Sequence, residues 1–140
     1  MLCTPHAVVS RSVALMLSSL ALTGCIHYEH KSAEGQPVAQ VATIQQLNKH
    51  LTITRIDEDT TLFWLSRQSE YRVGAGVHKI RVKWYFGEAS TASLETTVNL
   101  VGGRTYGLDG EMWKGHWGYN IRDIETGQSA FVTGQAAKAP

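Results

Sequence analysis

The sequence predicts an all-β fold, an antiparallel β-sandwich, on the basis of three observations. Apolar and polar side chains alternate along several segments, as they do in strands with one buried face. Turn-forming residues separate these segments at intervals of about 8 to 12 residues, which is typical of a sandwich or a barrel. The chain has 140 residues, of which 43% are hydrophobic, and this suits a single globular domain.

The first 24 residues are organised like a signal peptide. Arg11 precedes the apolar segment "SVALMLSSLAL", residues 12–22. An apolar segment of about 10 residues suits the centre of a signal peptide and is too short to cross a membrane. We therefore expect residues 1–24 to be removed and exclude them from the fold.

A lipidation motif ends this segment. Leu22, Thr23, Gly24 and Cys25 resemble, at all four positions, the lipobox of bacterial lipoproteins, in which a signal peptidase cuts before the cysteine. The resemblance implies a diacylglyceryl thioether and an acylated amino group on Cys25, and two or more acyl chains hold a protein stably on a membrane. The alternative is a cleaved secretory peptide followed by a stray cysteine. The residue after the cysteine is Ile26 and not Asp, which resembles the signal that sends lipoproteins to the outer membrane. We expect the domain to face the periplasm.

The cysteine count and the charge balance argue against an internal disulfide and against a nucleic-acid partner. Cys3 leaves with the signal peptide and Cys25 carries the lipid, so we expect no internal disulfide. The chain has 13 basic and 12 acidic residues, and the loss of Arg11 makes the mature protein formally neutral. A neutral chain gives no general attraction to nucleic acid, although Arg81, Lys83 and Tyr85 form a basic face beside aromatic residues. We expect no nucleic-acid partner.

Residues 25–40 are expected to be a flexible tether. The segment "IHYEHKSAEGQPVAQ" lacks apolar periodicity and mixes charged residues with Gly and Pro. His27 and His30 form an H-x-x-H pair, but two histidines without a structured scaffold make a weak metal site. The sequence therefore predicts a solvated linker and no metal.

A sandwich domain is predicted over residues 41–134, followed by a disordered tail over 135–140. Residues 41–48 fit a helix or a strand equally well. In "LTITRI", Leu51 and Ile53 share one face, and the strand's end is ambiguous because Arg55 has the same parity. Four later segments predict these buried faces: Ile80, Val82, Trp84 and Phe86; Leu94, Thr96, Val98 and Leu100; Tyr106, Leu108 and Met112; and Trp117, Tyr119 and Ile121.

Three stretches resemble a known family of envelope domains. The segment "SEYRVGAGVHKIRVKW", residues 69–84, resembles the PEGA-like, immunoglobulin-like modules of the bacterial envelope, where a strand leads through a Gly turn into an alternating strand. The segments "VNLVGGRTYGL" and "IRDIETGQ" are similar to the final strands of small lipoproteins of that architecture. The resemblance covers about half of the mature chain and implies a scaffolding or binding module without catalytic residues.

Signals for catalysis are few. None of the spacings G-x-S-x-G, H-E-x-x-H or C-x-x-C occurs in the sequence. Asp109, Glu111 and His116 lie on either side of one turn and form the candidate acid–base group of an alternative, a small periplasmic hydrolase or accessory enzyme subunit. Exposed hairpin residues explain them better. The "IDEDT" segment, residues 56–60, lacks the spacing of a calcium loop and is interpreted as a solvated turn.

The predicted function is therefore a lipid-anchored, non-enzymatic envelope module. It would bind a protein or a cell-wall glycan as scaffold, assembly factor or inhibitor, with no cofactor beyond the lipid on Cys25. Trp113 has the parity of Asp109 and Glu111, so the alternation leaves it outside the core. Trp113, Lys114 and His116 are the candidate binding residues, because an indole, an ammonium and an imidazole suit contacts with protein or glycan.

Overall fold

The computed structural model describes residues 27–65, 67–132 and 137–138, the last two by their backbone alone. Within these ranges the chain forms short 3₁₀ turns at Val38–Gln40 and Thr61–Phe63, and ten strands. The strands are β1 (His27–Glu29), β2 (Val41–Gln46), β3 (Leu51–Ile56), β4 (Glu70–Gly74), β5 (Gly76–Phe86), β6 (Ala89–Ser90), β7 (Leu94–Leu100), β8 (Thr105–Trp113), β9 (His116–Asp123) and β10 (Ala137–Lys138).

The strands form two sheets that pack face to face, which confirms the predicted all-β sandwich. The first sheet has the order β1-β4-β2-β8-β9-β10, and in the second sheet β5 pairs with β3, β6 and β7. Most pairings are antiparallel, but β1 with β4 and β2 with β8 are parallel. Parallel neighbours need long connections, and the chain between β2 and β8 supplies one by building the second sheet.

The alternation predicted from the sequence places the core correctly. Side chains of both inner faces meet in one apolar cluster, in which Trp84 of the second sheet lies against Trp117 of the first, with ring centroids 6.2 Å apart. Phe86 is an exception to the predicted core face, with 49% of its surface exposed. It is the last residue of β5, and the chain turns away directly after it at Gly87.

Two ambiguities of the sequence are decided by pairing. Residues 41–46 form a strand, β2, because it hydrogen-bonds to β4 on one side and to β8 on the other. The register between β3 and β5 shifts between Ile53 and Arg55. This bulge returns Ile56 to the buried side, which explains why parity alone failed at the end of the strand.

The prediction of a flexible tether over residues 25–40 is wrong for residues 27–33, where the described part of the chain begins. Residues 27–29 pair with β4, and Tyr28, His30 and Ala33 are buried. The Tyr28 ring lies 6.4 Å from that of Tyr71, and the Tyr28 hydroxyl donates a hydrogen bond to Asp59. At the other end, residues 137–138 pair with β9 instead of lying in a disordered tail. Burial and hydrogen bonds with distant strands fix the first segment, and pairing with β9 fixes the second.

The register also relates the start of the fold to the β8–β9 hairpin. Through β4 and β2, His27 lies level with Gly107. From that level β8 continues for six residues to Trp113, about 20 Å at the rise of a strand. The chain therefore enters β1 at the same end of the first sheet from which the hairpin projects.

Candidate functional site

The candidate binding residues lie at the tip of the β8–β9 hairpin. Trp113 pairs with His116, and the two residues between them form a tight turn. Lys114 and Gly115 both have positive φ, 48° and 82°. Two successive residues of positive φ are the mark of a type I′ turn, whose twist matches that of the flanking strands.

Trp113 is outside the core, as the sequence predicted. It is 70% exposed, and the Nζ atom of Lys114 lies 5.6 Å from the centroid of its ring. His116 is also exposed. The tip therefore presents an indole and an ammonium together to solvent.

An open groove of about 630 Å³ runs along the hairpin from this tip. Asp109 lies opposite Asn120, and Glu111 lies opposite Gly118. Gly118 has no side chain to cover this face of the hairpin. The lining combines charged, amide and aromatic groups, among them Asp109, Glu111, Trp113, His116, Asn120 and Arg122. Volume and lining are those of a site for a ligand of a few rings.

The groove brings together the three residues of the hydrolase alternative. Asp109, Glu111 and His116 all line it, and all three are exposed. One oxygen of Asp109 accepts a hydrogen bond from the backbone N–H of Gly110. Catalytic acids and bases usually lie in sites that exclude water and tune their proton affinity. The three side chains share one groove and are all exposed to water.

A second cluster of polar residues, His30, Asp57 and His78, was not predicted from the sequence. His30 directly follows β1, Asp57 directly follows β3, and His78 lies within β5. One potential ligand atom from each lies within 4.8 Å of the others. Along the chain, His30 lies near His27, and Asp57 lies among acidic neighbours. The meeting of His30 and Asp57 with His78 depends on how the sheets pack.

All side-chain nitrogen and oxygen atoms of this cluster except one have a hydrogen-bond partner. His78 Nε2 donates to the Gly74 carbonyl at 2.8 Å, and His78 Nδ1 lies 2.6 Å from Asp57 Oδ2. His30 Nδ1 lies 2.7 Å from Ser32 Oγ. His30 Nε2 is buried and has no hydrogen-bond partner among the described residues.

Burial and charge shift the proton affinities in the cluster. Burial lowers the pKa of His30, because the imidazolium is poorly solvated there, and the charge of Asp57 opposes this in part. For Asp57, burial acts to raise the pKa, but hydrogen bonds from His78 and from the backbone N–H of Lys79 outweigh it, so the pKa lies below its ordinary value. Asp57 is therefore a carboxylate and His30 a neutral imidazole at neutral pH.

An apolar patch that the sequence analysis missed follows the 3₁₀ turn Thr61–Phe63. Phe63, Trp64 and Leu65 are 48%, 82% and 49% exposed. The Phe63 and Trp64 rings meet edge to face, and Lys83 Nζ lies 5.2 Å from the Phe63 centroid. In the sequence, three successive large apolar residues beside a turn are the signal that could have indicated this patch.

Some predicted sites lie outside the described residues. These are the signal peptide, the cleavage motif Leu22, Thr23 and Gly24, and the lipid attachment site Cys25. Among the residues that the structure describes, no helix has the length and apolar character to span a membrane. Comparison of the chain with protein-family models, curated proteins and solved structures finds no match. The resemblance to PEGA-like modules stays a prediction from the sequence.

Proposed function

We propose that this protein is a lipid-anchored, non-enzymatic module of the bacterial outer membrane that binds envelope saccharides through the groove of its β8–β9 hairpin. The observation that carries the proposal is the exposed Trp113 at the end of a groove of about 630 Å³ with a mixed polar and aromatic lining. A scaffold, an assembly factor or an inhibitor would use such a site to hold its partner.

The composition of the groove favours a saccharide. The flat apolar face of an indole packs against the C–H face of a sugar ring, while its edge stays polar. Asp109 and Glu111 accept hydrogen bonds from hydroxyl groups, Arg122 donates them, and the amide of Asn120 does both. An apolar, flat patch would suit a protein partner better, whereas this groove is concave and combines polar groups with aromatic rings.

The proposed anchor places the groove close to the membrane. Cys25 is only two residues from His27, and two residues reach at most about 7 Å. Because β1 begins at the end of the first sheet from which the hairpin projects, a lipid on Cys25 holds that end toward the bilayer. A sugar headgroup of a glycolipid and a cell-wall glycan strand share the chemistry that the groove would recognise.

Titration with sugars tests this proposal on the full-length protein in detergent micelles. The probes are soluble glycan fragments of peptidoglycan and the oligosaccharide released from lipopolysaccharide, with tryptophan fluorescence as the signal. We expect one probe to bind, and Trp113→Ala to weaken its binding at least tenfold. Trp64→Ala is the matched control, because Trp64 is also largely exposed, at 82% against 70% for Trp113, and lies beside the second sheet.

Two results would overturn the saccharide proposal. The first is no binding of either probe, in which case Trp113-dependent crosslinking to an envelope protein in cells would assign the tip to a protein partner. The second is binding that Trp113→Ala leaves unchanged. The hydrolase alternative is favoured by the gathering of Asp109, Glu111 and His116, and is checked in the same samples. New reducing ends that disappear in Asp109→Asn and Glu111→Gln would make the protein an enzyme.

A further inference from the structure

We propose that His30, Asp57 and His78 form a binding site for a divalent transition-metal ion, with Zn²⁺ the best match. The site is separate from the β8–β9 groove and independent of the proposed saccharide binding. It contradicts the sequence prediction of no metal, which considered these residues only with their neighbours along the chain.

The unpartnered nitrogen of His30 is the first reason. The residue is 1% exposed, and its Nε2 has no hydrogen-bond partner among the described residues. A buried polar atom without a partner destabilises a fold, because its lost hydration is not replaced. Since Nδ1 is held by Ser32, Nε2 is the ring atom available to an ion.

Each of the three ligands is oriented by a hydrogen bond to its other polar atom. Ser32 Oγ lies 2.7 Å from His30 Nδ1 and accepts a hydrogen bond from the backbone N–H of Gly74, while the Ser32 backbone N–H donates to His30 Nδ1 at 3.3 Å. Binding of an ion through Nε2 requires the tautomer in which Nδ1 carries the proton and donates it to Ser32 Oγ in place of that backbone contact. The Gly74 carbonyl accepts from His78 Nε2, and the Lys79 backbone N–H donates to Asp57 Oδ1 at 2.9 Å. Among these atoms only His30 Nε2 has no partner among the described residues, and an ion would take the place of the contact between His78 Nδ1 and Asp57 Oδ2. Metal-binding histidines almost always have such a partner on the opposite nitrogen.

The donor set selects the kind of ion. Two imidazoles and one carboxylate suit Zn²⁺ and related transition metals, whereas Ca²⁺ and Mg²⁺ prefer oxygen ligands throughout. At Zn–ligand bonds of about 2.0 to 2.2 Å, tetrahedral ligand atoms lie about 3.4 Å apart. The present span of up to 4.8 Å therefore needs small side-chain adjustments. The Asp57 side chain is 32% exposed, which gives an ion an entry path and room for a water as fourth ligand.

The ion would join the two sheets. His30 continues from β1 of the first sheet, while Asp57 and His78 belong to the β3 end and β5 of the second sheet. A ligand that binds only the folded state stabilises it in proportion to the logarithm of its concentration over Kd. We therefore assign the ion a structural role, in which it fastens the short edge strand β1 to the rest of the sandwich.

Metal titration of the full-length protein tests the site. The protein is stripped with EDTA, dialysed and titrated with ZnCl₂ by calorimetry, and its Tm is measured with and without the ion. We expect one Zn²⁺ per chain and a Tm that rises with Zn²⁺ and falls again with EDTA. MgCl₂ and CaCl₂ at the same concentration should leave the Tm unchanged. Co²⁺ should give visible absorption bands of a site with nitrogen and oxygen ligands.

Variants locate the ion at the cluster. His30→Gln is expected to weaken Zn²⁺ binding at least a hundredfold and to abolish the rise in Tm. Asp57→Asn keeps an oxygen for the Lys79 N–H and is expected to weaken binding at least tenfold, so it serves if His30→Gln fails to fold. His27→Gln is the control, because His27 is exposed and lies on the other side of β1 from Tyr28. Less than one-fifth of an equivalent of Zn²⁺, or equal affinity in Asp57→Asn and the wild type, would overturn the proposal.

Discussion

Trp84 of β5 and Trp117 of β9 pack against each other between the two sheets, with ring centroids 6.2 Å apart and an interplanar angle of 60°. Both are buried. His50 stacks on Trp84 with its ring nearly parallel, at 5.5 Å, and its Nδ1 lies 3.0 Å from the Tyr85 carbonyl. This contact packs the β8–β9 hairpin against β5 of the second sheet.

Removing the Trp84 ring should destabilise the whole domain. Trp84→Ala leaves a large cavity between the sheets, and we expect a loss of about 3 to 5 kcal/mol in the free energy of unfolding. Arg81→Ala is the control in the same strand, since Arg81 faces outward and pairs with Glu95 at 3.0 Å in an exposed ion pair. Its effect should stay within about 0.5 kcal/mol. Urea unfolding measures both, and similar losses would contradict the assigned faces.

The hairpin turn should be sensitive to backbone conformation. Gly115→Ala places a Cβ at φ 82°, where it meets no heavy atom within 4 Å, so backbone strain alone is tested. We expect a loss of about 1 to 2 kcal/mol in the free energy of unfolding. Lys114→Asn is the counterpart, because Asn tolerates positive φ better than Lys does. It should unfold at the same or a higher urea concentration, and an equal loss in both variants would argue against a type I′ turn.

Asp123 should contribute to stability only while it is ionised. Its pKa is lowered by the backbone N–H of Thr126 above all, with further help from the N–H of Glu125 and the charge of Arg104, against the opposing effect of burial. A folded-state pKa below the unfolded value of about 3.9 gives stability that is present above that pH. This stability is lost as the pH falls through the folded-state pKa.

Asp123→Asn tests that dependence. The amide keeps an oxygen for the two N–H donors, at 2.8 and 3.1 Å in the wild type, but lacks the charge. We expect lower stability than the wild type at pH 7 and a smaller loss between pH 4 and pH 2.5, both followed by urea midpoints. Parallel curves for the two proteins over that range would show that the Asp123 charge is not responsible.

The proposed anchor predicts a defined N-terminus. The native product should partition into membranes and begin at a Cys25 that carries the mass of its acyl chains. Cys25→Ser should accumulate unprocessed or appear as a soluble form, because neither cleavage nor lipidation has its substrate. Intact mass spectrometry of both proteins decides the point. A mature N-terminus elsewhere, without acyl mass, would contradict the lipoprotein prediction.

Alternation along the chain is enough to predict the inner faces of β5, β7, β8 and β9. Alternation with a period of two is a local property of the chain, so Ile80, Val82 and Trp84 identified a buried face without knowledge of their partners. The same parity placed Trp113 outside. Where the local pattern was interrupted, by the bulge after Ile53 or the end of β5 at Phe86, the prediction was ambiguous or wrong.

The conformation of the segments around the strands depends on contacts with distant parts of the chain. The segment from His27 to Ala33 has no apolar period, and it is ordered by parallel pairing with β4 and by contacts with Tyr71 and Asp59. His30, Asp57 and His78 come together because three distant segments meet where the two sheets pack. Contacts between residues far apart in the chain leave no periodic trace in the sequence, since the energy that selects them belongs to the packed fold.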